Sequence, residues 1–204
     1  MISVAILDYG VGNLFSMSNA LDRAGLMGKI IRDPTKITSA DAIVLPGVGN
    51  FGPASLKLQP FAKSLWSAFE DKIPILGSCL GMQLLFEQSE ESPEDGLGLL
   101  KGTVRRFQGK LKVPHMGWNT IKSTRKSPLL KGIPDGEFFY FVHSYYPQPT
   151  ESDVTLAVTD YGGDFSSIVE RGSLYGCQFH PEKSGKAGAR LLSNFASIVR
   201  GRKK

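Results

Sequence analysis

The stretch Ile75-Leu76-Gly77-Ser78-Cys79-Leu80-Gly81-Met82-Gln83 decides the fold of this chain. An apolar run closes on Gly-x-Cys-x-Gly, and a helix-forming segment follows at once. That is the pattern of a nucleophile elbow, with cysteine where the hydrolase version has serine. A buried strand turning tightly into a helix lifts the central side chain above the strand end. Gly77 and Gly81 carry no Cβ to obstruct the turn or the approach of the helix. Cys79 thereby falls at a helix N-terminus, where free N–H groups and the dipole favour a thiolate.

The segments around the elbow repeat the same grammar. Residues 3–7 are apolar on both faces and read as a fully buried strand. A loop over Asp8-Tyr9-Gly10-Val11-Gly12-Asn13 leads into a helix to about residue 24, with Gly25 as its stop. Residues 41–45 form a second buried strand, ended by Pro46-Gly47-Val48-Gly49. A helix is predicted over about 53–71, a third buried strand over 73–77, and the elbow helix to about residue 88. This alternation predicts an α/β fold with a mostly parallel central sheet flanked by helices. From residue 93 to about 149 the pattern changes to short strands and Gly/Pro turns, as at 103–107 and 137–142. Strands at 154–159, 166–170 and 174–179 extend the sheet in a mixed or antiparallel manner, and a last helix spans 184–199. There is no internal repeat and no clear linker, and 204 residues suit one domain over 1–204.

The formal charge of +5 lies partly in the end Arg200-Gly201-Arg202-Lys203-Lys204. No basic cluster interleaved with aromatics occurs inside the chain, so nucleic acid is not an expected partner. No apolar run approaches membrane-spanning length, and the first strand lacks the basic flank of a signal peptide. Two cysteines are too few for a disulfide framework, and a reducing cytoplasm is the expected compartment. Cys177 sits in an apolar strand and reads as a buried structural thiol. Gly10-Val11-Gly12 is not a dinucleotide fingerprint: Phe15 occupies the third glycine position, although Asp33 lies where a ribose-binding acid would fall.

A cysteine nucleophile needs a base, and the base needs an orienting group. Of His115, His143 and His180, the last begins His180-Pro181-Glu182 directly after an apolar strand. A strand-end residue shares the rim of a parallel sheet with the elbow. Pro181 turns the chain, and Glu182 can accept a hydrogen bond from one imidazole nitrogen. The other nitrogen is then left facing Cys79. A free thiol with pKa about 8.5 is only a few per cent thiolate at neutral pH, so this pairing matters. The Leu80 N–H is a natural oxyanion donor, and Gly47-Val48-Gly49 can supply a second. Glycines flanking Val48 let its peptide aim inward or flip away. Losing one such donor costs about 2.7–4 kcal/mol of transition-state stabilisation. His115 and His143 lack a carboxylate placed like Glu182 and read as substrate-side or structural.

These motifs resemble the class I (triad) glutamine amidotransferases, through Gly77-Ser78-Cys79-Leu80-Gly81-Met82-Gln83 and Gln178-Phe179-His180-Pro181-Glu182-Lys183-Ser184. The segments 8–13, 46–52, Pro114-His115-Met116-Gly117-Trp118-Asn119 and 140–146 narrow the resemblance to the glutaminase subunits of imidazole glycerol phosphate synthase. The resemblance implies a flavodoxin-like domain that hydrolyses glutamine to glutamate and ammonia. Cys79 would carry the thioester, His180 would act as base and acid, and Glu182 would orient it. Gln83, Gly47, Val48 and Gly49 would contact glutamine, with Tyr140, His143 and Ser144. Ammonia would pass to a (β/α)8-barrel cyclase subunit in a heterodimer, docked near Asn13, Trp118 and Lys183. The cyclase would make imidazole glycerol phosphate and an aminoimidazole carboxamide ribotide. No cofactor and no metal are expected. Ser78 departs from the branched apolar residue usual before the cysteine. Two neighbouring readings stay open on the residues alone: the glutaminase of pyridoxal phosphate synthase, and a stand-alone cysteine hydrolase. The first carries a Gly-Gly-Glu-Ser oxyanion segment in place of Pro-Gly-Val-Gly, and the second should work without a partner.

Overall fold

The computed structural model describes residues 2–202, apart from the side chain of Thr38. The basic pair Lys203-Lys204 lies outside the described residues. The chain opens with β1 (Ser3–Leu7), α1 (Leu14–Arg23), β2 (Met27–Ile31) and β3 (Ala42–Leu45). Next come α2 (Phe51–Leu58), α3 (Ala62–Glu70), β4 (Ile75–Ser78) and α4 (Leu80–Gln83). Short strands follow: β5 (Phe86–Ser89), β6 (Leu100–Arg106), β7 (His115–Thr120), β8 (Lys122–Ser123), β9 (Phe138–His143) and β10 (Tyr145–Pro149). The chain closes with β11 (Thr155–Asp160), β12 (Asp164–Arg171), β13 (Leu174–Cys177) and α5 (Gly185–Arg202).

Five parallel strands form the centre of the main sheet in the order β2-β1-β3-β4-β13. This is the flavodoxin-like order, in which ligands bind beyond the carboxyl ends of the strands. β12 and β11 continue the sheet antiparallel, as expected for 166–170 and 154–159, and the unpredicted β8 completes that edge. The strand expected in the extension at 174–179 is instead β13, which runs parallel beside β4. Two smaller sheets, β10-β6-β5 and β7-β9, are built from the middle of the chain.

The apolar runs are continuous because both faces of the sheet are covered. Successive side chains alternate sides. Val4, Ile6, Val44 and Leu76 pack with Met17 and Leu21 of α1 and with Leu191 and Phe195 of α5. Ala5, Leu7, Ile43, Leu45 and Ile75 pack with Leu58 of α2 and Leu65 of α3. Each such fully buried aliphatic side chain contributes roughly 1.5–3 kcal/mol.

Two predicted helices differ from those observed. The helix expected over 53–71 is divided by a 3-10 turn at Gln59–Phe61, because Pro60 has no N–H for the helical ladder. The elbow helix stops at Gln83 and does not reach residue 88. Beyond it the carbonyls of Leu84, Leu85 and Phe86 accept from Leu97, Leu100 and Gly98. Gly96 permits this packing, since a Cβ there would lie 2.1 Å from the Phe86 carbonyl oxygen. All three side chains 84–86 are thereby buried, which a single helical face could not achieve.

Close backbone contact also fixes the last helix. A Cβ on Gly188 would stand 1.9 Å from the Pro181 carbonyl oxygen, so glycine lets α5 press on the turn after His180. Gly201, on the same helix, has open space around it. Gly188→Ala is expected to lower stability by about 2 kcal/mol or more. Gly201→Ala should be neutral or stabilising by at most about 1 kcal/mol. Denaturant unfolding of the two variants against the parent compares them directly; equal stabilities would contradict the close packing.

Candidate active site

Cys79 sits where β4 ends, with φ +53° and ψ −110°. This region is sparsely populated for a residue with a Cβ, and such strain persists only where surroundings impose it. Here they do. The Cys79 N–H donates to the Cys177 carbonyl at 2.8 Å, and the Cys79 carbonyl accepts from Met82 and Gln83. A Cβ on Gly81 would stand 1.9 Å from the Leu45 carbonyl oxygen, and one on Gly77 would meet the Gly81 carbonyl at 2.7 Å. The two glycines therefore allow the elbow to close against β3. Ser78 is buried, and its hydroxyl donates to the Phe179 carbonyl at 3.5 Å.

The four residues of α4 make a small dipole, so the helix supplies less field at the thiol than a long helix would. His180 supplies more. β13 runs parallel to β4 in the register Cys177 opposite Ser78, which carries His180 to the same rim. Its backbone is held by its N–H to the Tyr140 carbonyl at 3.0 Å and by the Ser184 hydroxyl to its own carbonyl at 2.6 Å. Phe179, just before it, stacks on Phe139 with ring centroids 4.0 Å apart. His180 Nδ1 bonds to Glu182 Oε1 at 2.9 Å with both side chains buried. His180 Nε2 and Glu182 Oε2 have no hydrogen-bond partner among the described residues. Burial works against a charged ring, but interaction with Cys79 and with Glu182 outweighs it and pushes His180 up to about 9. The sulfur also receives the Gln178 side-chain amide N–H at 3.7 Å.

A cleft of about 380 Å³ opens over the thiol, lined in part by Val48, Gly49, Leu80, Gln83, His143, Ser144 and His180. These seven sequence-predicted residues come together with Cys79. Gly47 and Tyr140 do not line the cleft. Gly47 is buried beneath it, where a Cβ would meet Gly81 N and Leu80 Cβ at 2.8 Å. Tyr140 acts from its backbone, accepting from His180 and donating to the Ser184 hydroxyl. Asn13 caps α1, accepting from the Ser16 N–H, and is exposed. Trp118 and Lys183 are also exposed. Asp33 caps a 3-10 turn, consistent with rejecting the dinucleotide reading.

Sequence reading missed three contributors. Tyr9 is buried, and its hydroxyl donates to the Pro46 carbonyl at 2.6 Å. It thus pins the peptide just before Gly47, while Val48 and Gly49 stay exposed and Gly49, at φ +106°, has open space. Glu91 lines the cleft and accepts the first N–H of α2, from Phe51, at 2.8 Å. Tyr145 lines it as well, its carbonyl accepting from Gln83 Nε2 at 2.9 Å. An aromatic in the first loop, one acid of an acid-rich segment and a tyrosine in a strand carry no local signal of these contacts.

His115 and His143 are buried and bonded to one another. Burial pushes His115 down to about 4 and His143 down to about 3. Cys177 is buried and unpaired, and burial raises its thiol.

The chain matches the family model described as glutamine amidotransferase class-I over residues 5–199. It is 52% identical over 201 residues to the imidazole glycerol phosphate synthase subunit HisH of Thermococcus kodakarensis, covering 96% of this chain and 100% of that one. It is 47% identical over 203 residues to the subunit of the same name from Moorella thermoacetica, covering 98% and 97%. Among solved structures it is similar in fold to PurLQS from Thermotoga maritima. That match has TM-score 0.77 at 19% identity, covering 97% of this chain and 99% of that one.

The three histidines give stability a signed pH dependence. His115 and His143 bind protons less readily folded than unfolded, so stability falls as pH drops from 6.5 towards 4. His180 binds its proton more tightly when folded. Its contribution is complete below pH 6.5 and is lost as pH rises to about 9. Denaturation across this range should therefore show maximal stability near pH 6.5. Stability that keeps rising to pH 9 would contradict a proton held on His180.

Proposed function

Because this chain belongs to the class I glutamine amidotransferases, and within them to the HisH subunits of imidazole glycerol phosphate synthase, we propose that its cleft hydrolyses glutamine and passes the ammonia to a cyclase. One observation carries the reading: a strained cysteine elbow beside a buried His180–Glu182 pair in the turn that follows the adjoining parallel strand.

The chemistry follows from these groups. Cys79 sulfur attacks the side-chain amide carbon of glutamine while His180 Nε2 already holds the proton shared by the pair. The tetrahedral oxyanion accepts from the Leu80 N–H and from the Val48-Gly49 peptide. His180 returns the proton to the departing nitrogen, the C–N bond breaks, and ammonia leaves a γ-glutamyl thioester. Water, deprotonated by His180, then attacks the thioester, and glutamate leaves as the C–S bond breaks. Glu182 holds the imidazole with Nε2 towards the sulfur throughout. Gln83 and the His143-Ser144-Tyr145 wall bound the substrate, and the Glu91 carboxylate suits its α-ammonium group.

The partner surface proposed is the ribbon β7-β9 together with the rim beside it. Paired positions on the outer face of the ribbon are Met116 with Val142, Trp118 with Tyr140, and Thr120 with Phe138. Met116, Trp118 and Phe138 are exposed there, as are Phe15 and Val48 at the carboxyl ends of β1 and β3. Asn13 and Lys183 add polar groups to the same rim. Exposed apolar residues on this scale suit a docking surface for the barrel cyclase. Because Tyr9 holds Pro46 while Val48 and Gly49 are free, a partner touching Val48 can reset the oxyanion donor.

Cys79→Ala is expected to abolish glutamine hydrolysis, a loss of several orders of magnitude, with the fold retained. Full activity in that variant would reject the nucleophile. The purified chain should hydrolyse glutamine weakly, and much faster once the cyclase and its nucleotide ligand are added. Trp118→Ala should weaken association by about 2 kcal/mol or more, as read by titration calorimetry. A maximal rate without the partner would reject the gate.

A further inference from the structure

Two of the three histidines stand outside the catalytic pair, and their bonds form a chain. The Asn119 side-chain nitrogen lies 3.2 Å from His115 Nε2. His115 Nδ1 lies 3.0 Å from His143 Nε2, and His143 Nδ1 lies 2.8 Å from the Tyr145 carbonyl oxygen. The donor direction can be worked out from either end. A carbonyl only accepts, so His143 carries its proton on Nδ1. A neutral imidazole has one N–H, so His143 Nε2 accepts and His115 Nδ1 donates. His115 Nε2 must then accept, and the group facing it is an amide nitrogen, which can only donate. The orientation of that amide is set by its other partners. Its nitrogen donates to the Asp160 carbonyl at 3.0 Å, and its oxygen accepts the Thr120 N–H at 2.8 Å. Every link agrees, and no bond has two donors or two acceptors.

We propose that Asn119, His115 and His143 form a relay locked in one tautomer, in which His115 is a positioning residue acting through His143 on the Tyr145 carbonyl. That carbonyl also accepts from Gln83, four residues after Cys79, and so stands between the relay and the elbow. Protonating either histidine would set two N–H groups face to face. The surroundings oppose this too, since His115 lies between the rings of Phe141 and Tyr161, at 4.9 and 4.1 Å. Both ring nitrogens of His143 are engaged, so its contribution to the cleft is the placement of the Ser144-Tyr145 wall and not a ring N–H for the ligand. The relay lies on the inward face of β7, whose outward face carries Met116 and Trp118. The inference rests on the glutaminase reading for the occupant of the cleft alone.

The test uses the full chain with ¹⁵N-labelled histidine and long-range ¹H–¹⁵N correlation at pH 7. The three histidines are assigned by single substitution. His115 and His143 should both appear neutral with the proton on Nδ1, the minor form of a free imidazole. A proton on Nε2, or a cation, at either residue would overturn the relay. Glutaminase kinetics with the cyclase bound supply the second arm. His115→Phe keeps a stacked ring but removes the donor, and should raise KM for glutamine about tenfold with a smaller change in kcat. His115→Asn, whose amide can replace the Nδ1 donor, should recover most of that loss. Equal impairment of the two variants, or a fall in kcat at unchanged KM, would overturn the positioning role. A parent protein inactive on glutamine would reject the occupant instead, and the spectrum would still decide the relay.

Discussion

The parallel pairing of β4 with β13 is the contact on which the site depends. It sets Cys177 beside Ser78 and gives the Cys177 carbonyl to the Cys79 N–H, so the elbow is held by the strand that leads to His180. A shift of one residue in this register would reverse which side chains face each core and would carry His180 away from the thiol. The pairing also makes the strain at Cys79 tolerable. A left-handed cysteine costs of order 1–3 kcal/mol, and its fixed hydrogen bonds and the glycine contacts behind it over-determine the geometry.

Around that fixed centre, freedom is unevenly distributed. The peptide at Pro46 is held by the Tyr9 hydroxyl and packed beneath the cleft, whereas Val48 and Gly49 project into open space. The opposite wall, through Tyr145, is held by two donors on one carbonyl. A cleft with one restrained wall and one unrestrained wall suits an enzyme whose turnover is set by a partner. In the proposed reaction the restrained wall would define the substrate, and the other would decide whether the oxyanion is met.

The buried strands were legible because a sheet covered on both faces demands unbroken apolar runs, as at residues 3–7, 41–45 and 73–77. The elbow and the His180-Pro181-Glu182 turn were legible because their chemistry requires particular residues in particular order. β2 was not, since Met27-Gly28-Lys29-Ile30-Ile31 lies at the sheet edge and is only partly buried. The short α4 was misread because Leu84, Leu85 and Phe86 suit a helix as well as the approach to β5 that they form. Contacts created by pairing leave no mark on the local sequence. His115 meets His143 only because β7 and β9 place them opposite one another, and Tyr9 meets Pro46 across 37 positions. Gly47 and Tyr140 show the converse: motif membership identified them, but neither lines the cleft, and Tyr140 meets His180 and Ser184 through its backbone.

The long separation within the β4–β13 pair has a consequence for how the protein comes into being. Gln178, the amide that reaches the Cys79 sulfur, lies 99 residues further along the chain. Contacts of such range form only after the intervening loop has been closed. Until β13 enters the sheet, the thiol has neither its imidazole nor its amide donor. The proposed site is therefore complete only once the last major strand to be synthesised has joined the sheet, and a nascent or partly folded chain lacks it.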